Sequence, residues 1–332
     1  MATLKDVAAM ASVDVSTVSR ALNNKAYVHP DTKRRIMKAV KALGYSPNLV
    51  AKSLRQGKRK TIGVVVPSIN ISIFGEIVQG MEEQARRDGY SILISNTMDD
   101  PVVERDCLQR MRTGLVDGIV IAATGQNTRL LADIASENIT VIQVVRSISH
   151  QFDCVVADYY RCGYEATAYL IKCGCRHIGL INGRSDMQPY QERYQGYKKA
   201  VAKAGLLEHV IEASKDGSQY FEDGYQSTRE LLHAVPALDA IMVATDLQGL
   251  GAIRAIKKAG LTTPENIRVI SLTGHPIGAT LETAMTSMQV PSREMGECTT
   301  KLMIERIENG DHTSVRHQQI VFDTMLISRE TT

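Results

Sequence analysis

Residues 4–24 read LKDVAAMASVDVSTVSRALNN. Leu4, Val7, Ala8 and Ala11 recur at the spacing of one helix face, and Val15, Val18, Ala21 and Leu22 repeat it after a break at residues 12–14. The pattern predicts two short helices joined by a tight turn. Asp14 precedes the second helix, where its carboxylate can accept an amide hydrogen bond and meet the positive end of the helix dipole. With Val15, Val18 and Leu22 turned inward, the other faces carry Ser16, Thr17, Ser19 and Arg20: three hydroxyls and a guanidinium. Arginine can fork onto guanine in a major groove, and serine or threonine can bond base edges or phosphates, so this face suits a recognition helix. A solvated polar face is the plain alternative for one helix taken alone.

Outward from this pair, Pro30 and Asp31 open a third helical run that ends at Gly44. Ile36, Val40 and Leu43 form its inner stripe, with Lys33, Arg34, Arg35, Lys38 and Lys41 outside. A three-helix domain over residues 1–46 is the expectation. In YSPNLVAKSLRQGKRK (45–60), Asn48 can cap a short helical turn holding Val50, Ala51, Ser53 and Leu54, a hinge over 47–60. By composition the same stretch could be a flexible linker, because so short a helix is marginal without a partner. Residues 1–60 hold thirteen Lys or Arg against Asp6, Asp14 and Asp31, a charge of +10, whereas the rest of the chain carries 26 basic and 33 acidic groups, −7. A cationic head on an acidic body suits a polyanionic partner; a merely solvated basic surface is the alternative.

From Thr61 short apolar runs alternate with amphipathic ones. TIGVVVPS (61–68), YSILIS (90–95), VDGIVIAA (116–123) and ITVIQVV (139–145) read as buried strands, and residues 74–88, 101–112 and 128–137 as helices. The alternation restarts at RHIGLING (176–183). It continues through helices near 193–204, 223–233 and 247–260, with a segment ending HVIEAS (209–214), the strand LDAIMVA (238–244), and strand-like IRVISLT (267–273) and TSMQV (286–290). The fold class is α/β: two lobes of doubly wound parallel sheet, with a ligand cleft where the carboxyl ends of their strands face each other. Candidate ligand contacts follow strands. They are Asn70, Phe74, Thr124, Arg146 and Arg193 on one set of segments, and Gln219, Thr245, Asp246, Thr273 and His275 on the other. A guanidinium can fork across neighbouring hydroxyls and an aromatic face suits the apolar side of a sugar ring. Equally, Arg146 could form a lobe–lobe ion pair, His275 could cap a turn before Pro276, and Phe74 could be helix-start core.

The 332-residue length allows two or three domains. With 44% hydrophobic and 23% charged residues, a mainly disordered or fibrous chain is excluded. No window reaches the roughly 18 apolar residues of a membrane helix and the acid-bearing N-terminus lacks a secretory start, so a soluble cytoplasmic protein is expected. Cys107, Cys154, Cys162, Cys173, Cys175 and Cys298 form no C-x-x-C pair, as for free thiols in a reducing compartment. The body holds no G-x-S-x-G, H-E-x-x-H or phosphate-loop motif. Gly249-Leu250-Gly251 begins like a dinucleotide fingerprint, but Arg254 stands at its third glycine, and close packing of the helix on its sheet is the plainer reading. Asp99 and Asp100, adjacent on a loop, read as solvated. No catalytic set, metal site or cofactor is expected.

The runs at 4–24, DTKRRIMKAVKALGYSPNLVAKSLRQG (31–57) and TIGVVVPSIN (61–70) closely resemble the lactose/galactose repressor (LacI/GalR) family of bacterial transcriptional regulators, over essentially the whole chain. The resemblance implies a helix-turn-helix DNA-binding domain and a two-lobed periplasmic-binding-protein-like core (61–332). Chain crossings near Asp158, Val290 and Phe322 would give an N-lobe of about 61–158 and 291–321 and a C-lobe of about 159–290 and 322–332. It also implies that Val15, Ser16 and Arg20 read a major groove, and that Leu54 in the hinge wedges into a minor-groove base step, where unstacking costs a few kcal/mol. The candidate DNA contacts are then Thr3, Val15, Ser16, Thr17, Ser19, Arg20, Asn23, Tyr27, His29, Ser53 and Leu54. Arg193, in QERYQGY (191–197), matches the family's effector-contacting arginine and Phe74 its aromatic loop position.

The implied protein is a sequence-specific repressor of carbohydrate-metabolism genes, a homodimer on palindromic double-stranded operator DNA with no membrane partner. A small sugar or sugar phosphate between the lobes would switch it. A cytosolic sugar-binding protein and a corepressor-dependent global carbon regulator are the alternatives. Two departures stand out: Asp14 where relatives usually carry Ser, and Thr273 where they often carry an Asp that accepts sugar hydroxyls. Residues 144–184 look most like sucrose-operon repressors of this family.

Overall fold

The computed structural model describes residues 2–23, 27–45, 59–212, 220–310 and 317–332. Two compact units divide the chain at Arg59/Lys60. In the first, α1 (Leu4–Met10), α2 (Val15–Asn23) and α3 (Pro30–Ala42) enclose a core of Val7, Ala8, Ala11, Val18, Ala21, Ile36 and Ala39. Thr3 caps α1 in a reciprocal box: its hydroxyl accepts from Asp6 N–H, and the Asp6 carboxylate accepts from Thr3 N–H at 2.7 Å. The chain then turns at Ser12 (φ 49°). Arg35 holds this turn from α3 by donating to the Ala11 carbonyl and to that of Ser12, the latter at 3.2 Å. One inward expectation needs correction: Val15 is 39% exposed, because α2 buries only Val18 and Ala21 fully against α1 and α3. Residues 47–58 of the candidate hinge, with Ser53 and Leu54, lie outside the described residues.

The second unit opens with β1 (Thr61–Val66), α4 (Ser72–Arg87), β2 (Ser91–Asn96), α5 (Pro101–Arg112), β3 (Gly118–Ile121), α6 (Thr128–Ser136), β4 (Thr140–Val144) and β5 (Asp153–Ala157). There follow α7 (Tyr159–Lys172), β6 (Ile178–Asn182), α8 (Gln188–Lys203), β7 (His209–Glu212), α9 (Tyr220–Ala234), β8 (Ala240–Val243), α10 (Asp246–Lys258) and β9 (Arg268–Ser271). A 3-10 turn (Pro276–Thr280), β10 (Thr286–Gln289), α11 (Ser292–Asn309), β11 (Gln319–Phe322) and β12 (Met325–Ile327) complete it. Two six-stranded sheets result, ordered β11-β5-β4-β3-β1-β2 and β12-β10-β9-β8-β6-β7. Every pairing is parallel except that of β12, which runs antiparallel to β10. The chain leaves the first sheet after Ala157, returns after Gln289 and crosses again between Phe322 and Met325.

In each sheet the strand order reverses beside the first strand of its lobe, so loops at the carboxyl ends part around a crevice there. Apolar continuity marks the inner strands: β3, β4, β6 and β8 are buried throughout. The expectation of a buried strand fails at β2, which is exposed or half-buried along its length because it is a sheet edge with one neighbour; β7 is an edge likewise.

Three helix pairs cross at facing glycines: α4 with α11 at Gly80 and Gly296, α7 with α8 at Gly163 and Gly196, and α9 with α10 at Gly224 and Gly251. At all six positions a Cβ would sit 2.1 Å from a backbone carbonyl oxygen of the partner helix. Gly251 is thus a packing residue, but against a helix rather than the sheet its plainer reading expected; at Gly249 a Cβ would meet Met285 and Val243 of the sheet side.

Candidate functional site

On the head, Asp14 caps α2 by accepting from Thr17 N–H at 2.8 Å, and it also accepts from the hydroxyls of Ser16 (2.5 Å) and Thr17 (2.7 Å). These bonds, the Ser16 and Thr17 hydroxyls first, hold the Asp14 carboxyl well below its usual range. The same two hydroxyls accept from the Arg20 guanidinium, at 3.0 Å and 3.3 Å, while Arg20 Nε donates to the Ser16 carbonyl at 3.4 Å. A chain of contacts therefore runs from cap to hydroxyls to guanidinium along one exposed face. Val15 is on this helix and Tyr27, 82% exposed, follows it. His29 caps α3, and Thr3 caps α1. Of the remaining head candidates, Ser19 and Asn23 lie on α2.

In the core, Arg146 follows β4 and is buried. It forks onto Asp99 at 2.5 and 3.0 Å and lies over the Phe74 ring, 6.0 Å from its centroid. Burial pulls the Arg146 guanidinium down, but the bond to Asp99 and its charge outweigh that and leave it raised. The lobe–lobe alternative for Arg146 is corrected: its partner belongs to the same lobe, on the loop after β2. Asp99 is likewise not the solvated loop acid expected, since this pairing draws it in, whereas Asp100 caps α5. Phe74 is core, 3% exposed. Thr124 is tied to the buried Glu104, donating from its amide at 2.7 Å and its hydroxyl at 2.8 Å, so it faces its own lobe's interior.

In the second lobe Arg193, 2% exposed, donates to the carbonyls of Leu272 (2.8 Å) and Ala244 (3.4 Å) at the ends of β9 and β8. Its guanidinium lies over Tyr159, 4.9 Å from the centroid, and its Nε has no partner. Burial pushes the Tyr159 phenol far up, against the opposing charge of Arg193. Thr245 caps α10 in a reciprocal box with Gln248. Asp246 Oδ2 accepts from the Thr273 hydroxyl at 2.7 Å and from His275 N–H at 3.1 Å, while its buried Oδ1 has no partner. His275 Nδ1 accepts from Ile277 N–H, the capping role foreseen for it, and Nε2 lies 3.6 Å from Glu76 of the opposite lobe.

A cavity of about 260 Å³ opens between the lobes, lined by residues 69–72, Gly75 and Glu76 on one side and by Tyr220, residues 245–247, Leu250, His275, Ile277, Leu281 and Met285 on the other. Four sequence candidates meet there: Asn70, Thr245, Asp246 and His275. Thr273 lines a smaller polar cavity of about 170 Å³ alongside, with Glu76 and His275 shared. Phe74, Thr124, Arg146 and Arg193 line neither, and Gln219 lies outside the described residues.

Sequence reasoning missed Glu76, Tyr159, Tyr190 and Tyr220. Tyr220, at the start of α9, packs against the first lobe's core and lines the cavity, and burial pushes its phenol far up. The available signal was positional: each stands near the start of a helix that follows a strand. Gln188 also joins the lobes, accepting from Ser147 N–H at 2.5 Å.

A three-helix head with an arginine-bearing exposed helix, on a two-lobed α/β core enclosing a cavity, is the build of a ligand-responsive DNA-binding regulator. The family model for periplasmic binding proteins and sugar binding domain of LacI family matches residues 59–327, and that for bacterial regulatory proteins, lacI family, matches residues 3–48. The chain belongs to the LacI family. It is 32% identical to the HTH-type transcriptional repressor PurR of Haemophilus influenzae (strain PittEE), over 99% of this chain and 98% of that protein. To the ribose operon repressor of Halalkalibacterium halodurans it is 29% identical, over 100% and 97%. A transcriptional regulator CelR–cellobiose complex matches over 100% of both chains, with 27% identity and a TM-score of 0.74. The lac repressor dimer bound to operator and the anti-inducer ONPF shares the fold, with 21% identity, a TM-score of 0.86 and coverage of 99% and 98%.

Proposed function

We propose that this chain is a sequence-specific repressor of carbohydrate-metabolism genes, not an enzyme, acting in the cytoplasm as a homodimer on palindromic operator DNA. Residues 1–46 read the half-sites, 47–60 form the hinge, and 61–332 bind effector and dimerise. The observation that carries the reading is a cavity walled by both lobes, on a chain whose head presents Arg20 from an exposed helix. Two groups already span the lobes, His275 with Glu76 and Gln188 with Ser147, so a ligand between them changes the lobe angle that the free protein prefers. The names of the relatives, a ribose operon repressor and a cellobiose complex among them, support a carbohydrate effector. The sucrose-repressor likeness of residues 144–184 makes sucrose and fructose early candidates.

Fluorescence anisotropy with palindromic DNA from the gene's own upstream region, with and without carbohydrates, tests this. A coupling of about 1–3 kcal/mol corresponds to a change of roughly 5- to 150-fold in operator affinity. Absence of specific binding under every ligand condition would discard the reading. Described helices give no support to a membrane role: none is long and apolar enough to cross a bilayer.

A further inference from the structure

We infer that Asp14 sets the base preference of α2, by fixing the Ser16 and Thr17 hydroxyls as hydrogen-bond acceptors that select a base bearing an exocyclic amino group. This rests on the reading of the head as the DNA-binding module. A serine or threonine hydroxyl left to itself has no such preference, since it can donate to a phosphate or a base carbonyl and can accept from a base amine. On α2 that freedom is gone. The Ser16 hydroxyl lies 2.5 Å from Asp14 Oδ1, and the Thr17 hydroxyl lies 2.7 Å from Oδ2. An ionised carboxylate only accepts, so both hydroxyl protons point at Asp14. Arg20 Nη2 engages the same oxygens from the other side, at 3.0 Å from Ser16 Oγ and 3.3 Å from Thr17 Oγ1. A guanidinium only donates, so each oxygen spends one lone pair on Arg20 and keeps one. The direction of all four bonds is therefore set by the two charged groups at the ends of the chain of contacts. Asp14 stays ionised at neutral pH, because the hydroxyl bonds hold its carboxyl well below the usual range.

What this face offers a partner is then one-sided. Ser16 Oγ and Thr17 Oγ1 present a lone pair each, and Asp14 Oδ2, which takes one bond where Oδ1 takes two, presents another. Each of them needs a donor. Phosphate oxygens, guanine O6 and N7 and thymine O4 are acceptors, whereas cytosine N4 and adenine N6 are the donors that a major groove presents. Asp14, Ser16 and Arg20 are all exposed, and Ser16 and Arg20 stand one helical turn apart, so a groove can reach them together. Among the described residues Arg20 Nη1 has no partner, and its two N–H groups suit guanine. A G·C pair, or a guanine beside an adenine, sets base acceptors and a base amine next to each other, as this face requires. Charge favours the same choice. A carboxylate is repelled by phosphate at close range, so the acceptor end of the face gains more from a base amine than from the backbone.

The test begins by selecting sites for the full-length protein from a pool of random duplexes, without ligand and with a mixture of ribose, cellobiose, sucrose and fructose. Anisotropy on the selected duplex then follows the removal of single amines, with 2-pyrimidinone in place of cytosine or unsubstituted purine in place of adenine. The same replacement outside the site gives the baseline. The selected site should hold a cytosine or adenine, paired with or beside a guanine, whose amine removal weakens binding by about five- to tenfold, the loss of one hydrogen bond. Asp14→Ser releases both hydroxyl protons, so its selected site should admit guanine or thymine at that position and amine removal should cost it less than about twofold. Asp14→Asn keeps the shape but turns one carboxylate oxygen into a donor, and it should fall between the two. Identical selected sites and amine dependence in the wild type and Asp14→Ser overturn the inference, as does a wild-type site indifferent to every amine removal. The modified duplexes probe the wild type itself, so the test survives an Asp14 variant that fails to fold. Recovery of no site under either condition would instead overturn the DNA-binding reading, and this inference with it.

Discussion

Asp14 shows how one side chain can serve two structures at once. Its carboxylate ends the α2 backbone and, through the same oxygens, orients the hydroxyls that hold Arg20. A serine there would keep the cap and lose the second pair of acceptors. Asp14→Ser should therefore leave the melting temperature nearly unchanged while reducing the preference for operator over random DNA, because Arg20 is held less firmly. Asp14→Ala should lower both. Equal effects of the two variants on discrimination and melting would confine Asp14 to capping. Since folding depresses the Asp14 pKa, its contribution is fully present above the ordinary value of 3.8 and is lost as the pH falls below it, so at neutral pH none is missing. Arg20→Ala should cost about 1–3 kcal/mol on the specific site and much less on random duplex, measured by anisotropy at one salt concentration. Comparable losses on both would make Arg20 a phosphate contact. Much of this was legible, since Asp14, Ser16, Thr17 and Arg20 are spaced along one turn and a half. Their mutual bonding was not, because hydroxyl direction is set by neighbours rather than by spacing. The same limit applies in the core, where Arg193 and Asp246 could be singled out but the carbonyls and hydroxyls that engage them are brought by β8, β9 and the loop after β9.

Among elements, the legible ones have a single buried face or two. The unbroken apolar runs of β1, β3, β4, β6 and β8 announce strands shielded on both sides. Helices α7 and α11 and strands β5, β11 and β12 carried no such sign. Helix α11 buries Thr299, Thr300 and Gly296 as well as Met and Ile, and α7 buries Cys162, Gly163 and Thr167, so neither shows a clean apolar stripe. Their burial follows from the glycine crossings, a tertiary fact. That gives a test at this scale. In Gly163→Ala the new Cβ would lie 2.1 Å from the carbonyl oxygen of Arg193, and in Gly251→Ala the same distance from that of Phe221. Each should destabilise by about 1–3 kcal/mol through overpacking, visible as a lower melting temperature. Gly163→Ala should also blunt the effector response, since it displaces the residue whose guanidinium ties β8 to β9, and Gly251→Ala should weaken ligand binding, since Leu250 beside it and Tyr220 beside Phe221 line the cavity. An unchanged effector response in Gly163→Ala would separate Arg193 from the switch.

For the whole molecule, the question is how one cavity can govern two half-sites. The first lobe ends in β2, an edge strand with Leu93 and Ile94 each 39% exposed, and near it in sequence stand Met98 at 58% and Val102 at 57%. An exposed apolar edge is a hazard in a monomer and a resource in a dimer, where a second copy of the same surface covers it about a two-fold axis. Such an axis gives two cationic heads, and two recognition helices about one DNA turn apart require half-sites in inverted order. In the proposed dimer, lobe rearrangement in each core would act on both heads together. Ile94→Lys should accordingly yield a monomer by sedimentation velocity. It should retain its calorimetric affinity for the sugar, because the cavity is built within one chain, and lose most of its operator affinity, because a single head makes half the contacts. A variant that stayed dimeric would move the interface elsewhere. A monomer that still bound the palindrome at full strength would break the link between symmetry and recognition, and with it the route by which a ligand between two lobes could reach DNA.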